Sequence, residues 1–182
     1  MDNPRTVPRV IEADGLSVSV DGEYLAASLR YFDAQGSFAS LASNAVGAAL
    51  PQPLHISRAE SPTSSVSCIL VWRSPTETWW LSKDAAAFAR LQAELAVADD
   101  GCLVDQTGGL CVVRVQGRRT DDLLARLGAD SVIPGLGEAR TGRLAEVQVT
   151  AVRLQPDELW LIVERVYADH LLEWITVTAR DF

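Results

Sequence analysis

The composition of the chain excludes several classes of protein. At 182 residues it is long enough to bury one substantial hydrophobic core and short for two independent domains, so we expect a single domain over residues 1–182. Hydrophobic residues make up 48% of the chain and charged residues 22%, which is typical of a globular protein and argues against intrinsic disorder. The formal net charge of −8 argues against nucleic acid or an anionic membrane as a partner.

The N-terminus and the cysteines predict a cytoplasmic protein. Met1–Pro8 lacks the apolar core of a signal peptide, and no apolar run in the chain approaches the length that spans a bilayer. The three cysteines are an odd number and show no Cys-x-x-Cys spacing. We therefore expect reduced thiols rather than disulfides.

The first part of the chain predicts two strands and a helix. Residues 1–14 show no regular pattern and are expected to be flexible. A short strand is predicted at Leu16–Val20 and a longer one at Tyr24–Phe32. Apolar residues at helical spacing predict a helix over Phe38–Val46, and Gly47 is placed to end it.

A hairpin and a second helix follow. Ser57–Ser65 is rich in serine with one proline, which predicts an exposed loop. The apolar run Val66–Trp72 predicts a strand, the turn at Pro75 reverses the chain, and Thr78–Leu81 predicts the return strand. Apolar residues on one stripe predict a helix over Phe88–Leu95.

The second half of the chain repeats this order of elements. Strands are predicted at Cys102–Asp105, Leu110–Val115, Val147–Leu154 and Leu159–Val163. Thr120 is predicted to cap a helix whose first turn carries two aspartates, which favour the positive helix end. A final helix is predicted from one apolar stripe formed by Tyr167, Leu171, Trp174 and Ile175.

Two short segments of the chain resemble each other. Pro75–Leu81 (PTETWWL) and Pro156–Ile162 (PDELWLI) share a proline, a glutamate and a tryptophan at an offset of 81, since 156 − 75 = 81. Weaker matches upstream continue at this offset, which predicts two repeats, 15–96 and 97–178. The order of elements favours an α+β fold in which a strand-helix-strand-strand-helix unit is duplicated and the sheets are mostly antiparallel.

Common catalytic and metal-binding motifs are absent from the sequence. It contains no nucleophile elbow, zinc-binding helix or phosphate loop. Gly135–Gly142 lacks dinucleotide-binding spacing and is interpreted as a loop. His55 and His170 lie outside any metal motif. Cys102 and Cys111 lie in apolar runs without an activating neighbour and are interpreted as buried structural cysteines.

Paired carboxylates are the remaining candidates for acid–base chemistry. The three pairs are Asp99–Asp100, Asp121–Asp122 and Asp157–Glu158. Each pair has a structural explanation, because they fall in a loop at a helix end, in the first turn of a helix and in a hairpin turn. The sequence therefore predicts no catalytic residue and no metal ligand.

Four segments, taken in order, carry a family resemblance. They are Leu50–Leu54 (LPQPL), Ile69–Leu81 (ILVWRSPTETWWL), Val104–Gly117 (VDQTGGLCVVRVQG) and Leu159–Trp174. Over roughly residues 45–182 the chain resembles the gamma subunit of heterotetrameric sarcosine oxidase. That family is similar to the folate-binding domain of the glycine cleavage system T protein, so the resemblance implies an internal duplication with exchanged first strands.

The resemblance implies a subunit that packs into an enzyme without catalysing its reaction. In the family, the alpha subunit carries the pyridine nucleotide and folate sites, the beta subunit carries the flavins, and a delta subunit binds zinc. The complex oxidatively demethylates sarcosine to glycine and transfers the one-carbon unit to tetrahydrofolate. The implied partners are thus alpha, beta and delta subunits, and the implied cofactors of the complex are FAD, FMN, NAD and tetrahydrofolate, none of them bound by this chain.

Two alternatives stay open. One is a folate-binding or aminomethyltransferase-like one-carbon protein; the other is an assembly protein of a different amine-oxidising complex. In folate-binding relatives an acidic residue just before the strand that leads to this hairpin contacts the pterin, and Val66 and Ser67 stand there in this chain. Neither carries a carboxylate, so the resemblance does not extend to this contact.

Three tryptophans are candidates for an interface. Trp72, Trp79 and Trp80 belong to a residue type that anchors buried interfaces, although core or inter-repeat positions are the alternative. Adjacent side chains of a strand point to opposite faces, so Trp79 and Trp80 cannot share a layer. Trp79 matches Trp160 at the offset of 81, whereas Trp80 matches Leu161. We therefore expect Trp80 to contact the other repeat or another subunit, and we expect the isolated chain to self-associate.

Overall fold

The computed structural model describes residues 10–21, 24–61 and 64–182, with the side chains of residues 60–67 excepted. Within these residues the strands are β1 (Val10–Ala13), β2 (Leu16–Asp21), β3 (Leu25–Tyr31), β4 (Ile56–Ser61), β5 (Ser64–Ser74), β6 (Glu77–Ser82), β7 (Gly101–Asp105), β8 (Leu110–Gln116), β9 (Ala139–Leu144), β10 (Val147–Gln155) and β11 (Glu158–Glu164). The helices are α1 (Ser37–Val46), α2 (Ala85–Leu95), α3 (Thr120–Leu127) and α4 (Ala168–Ala179). Short 3₁₀ turns lie at Asp130–Val132 and Arg165–Tyr167.

The chain divides into two compact units. Unit 1 consists of the N-terminal segment with β1 and β2, Gly109–Leu136 and Arg140–Phe182, and unit 2 of Glu23–Gly108 with Gly137–Ala139. Each unit contains one sheet and two helices, and the strand pairings are antiparallel. The predicted α+β fold class with antiparallel sheets is confirmed. None of the helices in the described residues is long and apolar enough to cross a membrane.

The sheet of unit 2 has the strand order β4-β5-β6-β3-β7. The alternation of side chains along β3 sends Ala27, Leu29 and Tyr31 into a core shared with its helices. The core also contains Leu70, Trp80, Phe38, Phe88, Leu91 and Leu95. Burial of each such large apolar side chain contributes about 2 kcal/mol, so this core holds both helices on the sheet.

The sheet of unit 1 has the strand order β1-β2-β8-β11-β10-β9. Alternate residues of its central strands, such as Val113 on β8 and Leu161 on β11, are fully buried in one hydrophobic cluster. The helices add their apolar stripes to the same cluster, with Leu123, Leu124, Leu171, Leu172 and Ile175. The predicted stripe of the final helix is only half right, because Leu171 and Ile175 are buried whereas Tyr167 and Trp174 are 49% and 50% exposed.

The two hairpins have the same register at the predicted offset. In unit 2 the last pairs before the turn are Trp72–Thr78 and Ser74–Glu77, and in unit 1 they are Arg153–Leu159 and Gln155–Glu158. Every member of one set is 81 positions from its counterpart. An irregularity follows Trp72 in one hairpin and Arg153 in the other. The offset of 81 therefore describes both hairpins, including their irregular step.

Upstream of the hairpins the offset changes. Trp79 pairs with Ser28 on β3, and its counterpart Trp160 pairs with Arg114 on β8. Since 114 − 28 = 86, the strand that precedes each hairpin is offset by 86 rather than 81. The expectation of one constant offset is wrong for this strand, because the connection between it and the hairpin is five residues longer in unit 2.

Each sheet includes a strand from the other half of the chain. β2, near the N-terminus, pairs with β8 in unit 1, and β7, which follows α2, pairs with β3 in unit 2. This is the exchange of first strands that the family resemblance implies. Because of it, the unit boundaries differ from the predicted repeat boundaries 15–96 and 97–178.

Three expectations about irregular segments are wrong. Val10–Ala13, placed in the flexible segment 1–14, forms β1, and residues 1–9 lie outside the described part of the chain. The predicted loop Ser57–Ser65 overlaps β4 and the first residues of β5, and the predicted loop Gly135–Gly142 runs into β9. β1, β4 and β9 are all edge strands of their sheets. Edge strands carry polar residues that face solvent, so their composition is similar to that of loops.

The helix ends follow the predicted signals in part. Gly47 ends α1 in the left-handed conformation with φ 76°, as glycine allows. Asp84 caps α2 by accepting hydrogen bonds from the backbone N–H groups of Ala86 and Ala87 at 2.9 and 3.0 Å. The predicted cap at Thr120 is wrong, because Thr120 is buried as the first residue inside α3 and Arg119 occupies the N-cap position without a side-chain capping hydrogen bond.

Candidate functional site

The adjacent tryptophans of β6 lie on opposite faces of the sheet of unit 2. Trp80 is 1% exposed and stacks on Phe88 of α2, with ring centroids 5.4 Å apart. It belongs to the core of its unit, so the expectation that Trp80 contacts another subunit is corrected. Its burial has a local reason, because the register of β6 directs this position toward α2.

Trp79 occupies the face of the sheet opposite the helices. The guanidinium carbon of Arg73 lies 4.1 Å from the centroid of its ring, which is the geometry of a cation–π contact. Its counterpart Trp160 is buried, and the indole N–H of Trp160 donates to the carboxylate of Glu158 at 3.2 Å. Trp72 and Trp79 are both partly exposed. Their role at an interface stays a prediction.

A row of polar side chains crosses three strands on that face of unit 2. Arg30 on β3 pairs with Glu77 on β6 and with Cys102 on β7. Because directly paired residues project to the same face, the three side chains lie side by side at one end of the sheet.

The two cysteines that were predicted to be buried differ in exposure. Cys102 is exposed, so the interpretation of Cys102 as buried is wrong, while Cys111 is buried as predicted. β7 is an edge strand, which explains the exposure of Cys102.

Hydrogen bonds fix the two charged members of this row. The Ser28 hydroxyl donates to Oε1 of Glu77 at 2.5 Å, and Nε of Arg30 donates to the Ser28 oxygen at 3.2 Å. Nε of Arg30 lies 3.8 Å from the same Glu77 oxygen. Ser28 is fully buried, so it anchors the exposed ion pair to the sheet.

An open cavity of about 540 Å³ borders this row. It is lined by Arg30, Tyr31, Phe32, Thr76, Glu77, Asp99, Gly101 and Cys102. The Tyr31 hydroxyl makes a 2.8 Å hydrogen bond with Thr78, and burial raises the pKa of Tyr31 above its usual value. Phe32 is 89% exposed. The lining contains no histidine, and the cavity offers an ion pair, a phenyl ring, a thiol and the carboxylate of Asp99.

The paired carboxylates have structural partners. Asp100 accepts hydrogen bonds from the Ser37 hydroxyl at 2.6 Å and the Phe38 N–H at 2.8 Å, at the start of α1. Glu158 lies 2.8 Å from Nε of Arg114, and Asp121 binds the guanidinium of the buried Arg153. These contacts agree with the structural explanation of the three pairs.

The histidines lie apart from one another in sequence and bond to backbone carbonyls. A ring nitrogen of His55 is 2.8 Å from the carbonyl oxygen of Pro53, and Nε2 of His170 is 3.0 Å from that of Ala145. Among the described residues, no group of three or more histidines, cysteines and carboxylates could hold a metal ion.

The sequence reasoning missed the row formed by Arg30, Glu77 and Cys102. These residues are far apart in the chain, and the pairing of β3 with β6 and β7 decides their proximity. One signal was present: Arg30 is a charged residue near the end of an otherwise apolar strand, and such a residue needs a partner or solvent. The sequence pattern of Glu77 indicates only its place in the repeated hairpin turn.

No family model matches the chain, and no curated protein matches its sequence. Solved structures match over nearly its whole length. A chain of the heterotetrameric sarcosine oxidase from Corynebacterium sp. U-96, in complex with pyrrole 2-carboxylate, is similar with a TM-score of 0.81 and 17% sequence identity, over 96% of this chain and 88% of that chain. The fold is that of a sarcosine oxidase chain.

The sarcosine oxidase fold also occurs in other proteins. The aminomethyltransferase T of the glycine cleavage system from Bartonella henselae is similar with a TM-score of 0.64 and 16% identity; the match covers 92% of this chain and 49% of that protein, about half its length. Aspartate kinase from Synechocystis has a TM-score of 0.52 and 12% identity, over 99% of this chain and 28% of the kinase. At such identities the likeness concerns the fold, and a fold shared by these proteins does not by itself determine function.

Proposed function

We propose that the chain is a non-catalytic subunit of a sarcosine-oxidase-like complex and corresponds to its gamma subunit. The observation that carries this proposal is the length of the match, which includes 96% of this chain and 88% of a chain of heterotetrameric sarcosine oxidase. A domain that forms part of a larger chain would match only a fraction of its relative, as with the T protein, of which 49% is covered.

The side chains of the candidate site support a role without chemistry of its own. Glu77 is engaged by Ser28 and Arg30, and acid–base catalysis requires a group that is free to reach a substrate proton. Cys102 has no histidine beside it in the cavity, so the usual activation of a nucleophilic thiol is missing.

In this proposal the partners supply the reaction. The chain would assemble with alpha, beta and delta subunits in the cytoplasm, and the complex would demethylate sarcosine oxidatively to glycine with transfer of the one-carbon unit to tetrahydrofolate. FAD, FMN, NAD and tetrahydrofolate would bind to those subunits. Val66 and Ser67, which stand where relatives place a carboxylate against the pterin, lie in β5, and their side chains are outside the described part of the structure. Neither residue type supplies a carboxylate, so the donor set does not fit that contact.

Purification of a tagged full-length chain from its native source tests the proposal. We expect companions that include a flavoprotein, recognised by flavin absorbance, and sarcosine-dependent oxygen consumption in the purified fraction. Recovery of the tagged chain without companion proteins would overturn the proposal, provided that the source is grown under conditions in which it normally expresses the untagged chain.

A folate-binding or aminomethyltransferase-like protein is the second candidate. The likeness to the T protein, with its TM-score of 0.64, favours it. Titration of the isolated chain with tetrahydrofolate, followed by the fluorescence of its five tryptophans, separates the two candidates. Saturable quenching would support the second candidate, and we expect none.

A further inference from the structure

One side of α4 in unit 1 exposes apolar side chains among polar ones. Leu171, Leu172 and Ile175 direct one side of α4 into the core. On another side, Tyr167, Trp174 and Val177 are 49%, 50% and 55% exposed. At 3.6 residues per turn these three side chains fall within about 80° of arc, and the exposed His170, which bonds to the carbonyl of Ala145, lies between them. They form an exposed stripe, here called the α4 stripe.

The α4 stripe has the residue types of a docking surface. Tyrosine and tryptophan anchor interfaces because they bury a large area and lose little side-chain entropy. Val166, which is 79% exposed, extends the stripe into the 3₁₀ turn before α4. A neighbouring group of exposed aromatic and aliphatic side chains on a folded protein marks an interaction site more often than one exposed apolar residue does.

Charge along one border of the α4 stripe indicates what covers it. Asp169 and Glu173 lie one turn apart on the same helix, both are exposed, and neither carboxylate is engaged in a hydrogen bond or ion pair by the residues that the structure describes. Glu164, also exposed, precedes the 3₁₀ turn. Arg165 in that turn and Arg180 at the end of α4 are the basic residues here, so three acidic residues face two basic ones. The border therefore has excess negative charge, which complements a partner with basic residues.

We propose that the α4 stripe is the docking surface for another subunit of the complex, on which an apolar groove is bordered by arginine or lysine. The inference rests on the proposed function, because it takes the partner from the same assembly. Trp174 fills the groove, and Asp169 and Glu173 meet the basic border. The three tryptophans of the hairpin region are not needed for this contact.

Co-purification with variants tests the role of the α4 stripe. In the tagged full-length chain expressed in its native source, Trp174→Ser is expected to reduce the recovered companion at least tenfold, and the double change Asp169→Lys with Glu173→Lys to reduce it similarly. Val97→Ser and Glu94→Lys are matched controls on unit 2, where Val97 is 77% exposed and Glu94 is exposed on α2. Circular dichroism and thermal unfolding check that each variant is folded.

A photo-cross-linking amino acid at position 174 gives a second readout that keeps an aromatic group in place. We expect a cross-link to a companion subunit, at a site that peptide mapping places beside arginine or lysine. Companions that are retained equally by Trp174→Ser, or a cross-link to a second copy of this chain, would overturn the inference and leave the proposed function intact. Absence of companions from the wild-type chain would overturn both.

Discussion

At the scale of single residues, Arg153 shows how a buried charge is accommodated. Its side chain is 8% exposed; Nε donates to the carbonyl of Pro134 and Nη1 to that of Pro156, both at 2.7 Å. Nη2 donates to Asp121. The guanidinium thereby joins the start of α3, the segment after it and the hairpin turn of unit 1. A buried charge is tolerated because an opposite charge and hydrogen bonds replace its hydration.

Substitution of Arg153 by methionine is expected to lower the free energy of unfolding by about 3 kcal/mol, since buried carbonyl groups lose their donors. Urea unfolding measures the loss. Arg118→Met is the matched control, because Arg118 pairs with Asp14 at the surface, where both side chains are mostly exposed, and such pairs contribute about 0–1 kcal/mol. Equal losses in the two variants would contradict the assignment.

Asp100 is a second residue with a long-range structural role. α1 follows Gly36, which has no side chain to cap it, and Asp100 supplies the missing acceptor from the connection after α2. A Cβ at position 36 would collide with the Asp100 carboxylate. The hydrogen bond from Ser37, followed by that from the backbone of Phe38, lowers the pKa of Asp100 below its usual value of 3.8.

The lowered pKa predicts the pH dependence of an Asp100→Ala variant. A carboxyl group with a lower pKa in the folded state stabilises the fold fully above its ordinary pKa, and the contribution is lost as pH falls through the folded-state value. Asp100→Ala should be less stable than wild type at neutral pH, and the difference should shrink as pH falls below about 4. Thermal unfolding over this range, with Asp99→Ala as control, tests it; a difference that is independent of pH would count against the cap.

At the scale of elements, the turn between β9 and β10 has an unfavourable sequence. Ala145 and Glu146 both have positive φ, 49° and 65°, as a two-residue turn of this kind requires, although glycine and asparagine are the usual occupants. Surrounding groups hold the turn: Ala145 donates its N–H to the carbonyl of Leu127 at 2.7 Å, and Arg143 donates to that of Glu146 at 2.9 Å. Left-handed backbone costs roughly 1 kcal/mol for a residue with a side chain.

Glu146→Gly is therefore expected to stabilise the protein by about 0.5–1 kcal/mol, because glycine adopts positive φ without steric strain. The lost ion pair with Arg143 is exposed, at 3.8 Å, and contributes little. Glu94→Gly in α2 makes the same chemical change in a helix and should destabilise by a similar amount. Chemical denaturation measures both variants, and a destabilising Glu146→Gly would refute the strain argument.

At the scale of the whole molecule, the family resemblance and the structure agree on architecture. The exchanged strands β2 and β7 mean that neither repeat forms a complete sheet from its own half of the sequence. Cutting the chain between residues 96 and 97 would remove β7 from the sheet of unit 2. Each sheet therefore needs strands from both halves of the chain.

The proposed role as an assembly subunit predicts self-association of the isolated chain. The α4 stripe would then be uncovered, and exposed apolar surface of this kind drives association in water. Sedimentation velocity should show species larger than the monomer that increase with concentration, and Trp174→Ser should shift them toward monomer whereas Val97→Ser should not. A wild-type chain that is a monodisperse monomer would contradict this prediction.

The candidate site was less predictable than the fold. The turn at Pro75 and the similar segment around Trp160 predicted the hairpin that contains Trp79 and Trp80. The sequence did not show which face of this hairpin packs on α2, and for that reason the interface role predicted for Trp80 was wrong. Exposure of Cys102 likewise depends on the position of β7 at a sheet edge. Strand alternation separates the two faces of a strand and does not say which one meets a helix.

The sequence by itself determined the class of each central element, the position of both hairpin turns and the absence of common catalytic motifs, because these depend on residues close together in the chain. The strand exchange was expected only through the family resemblance, and tertiary structure alone decided the edge strands and the row formed by Arg30, Glu77 and Cys102. It also decided that Trp174 is exposed while Trp80 is buried. These features arise from pairings between residues far apart in the chain, and local patterns of hydrophobicity carry no information about such pairings.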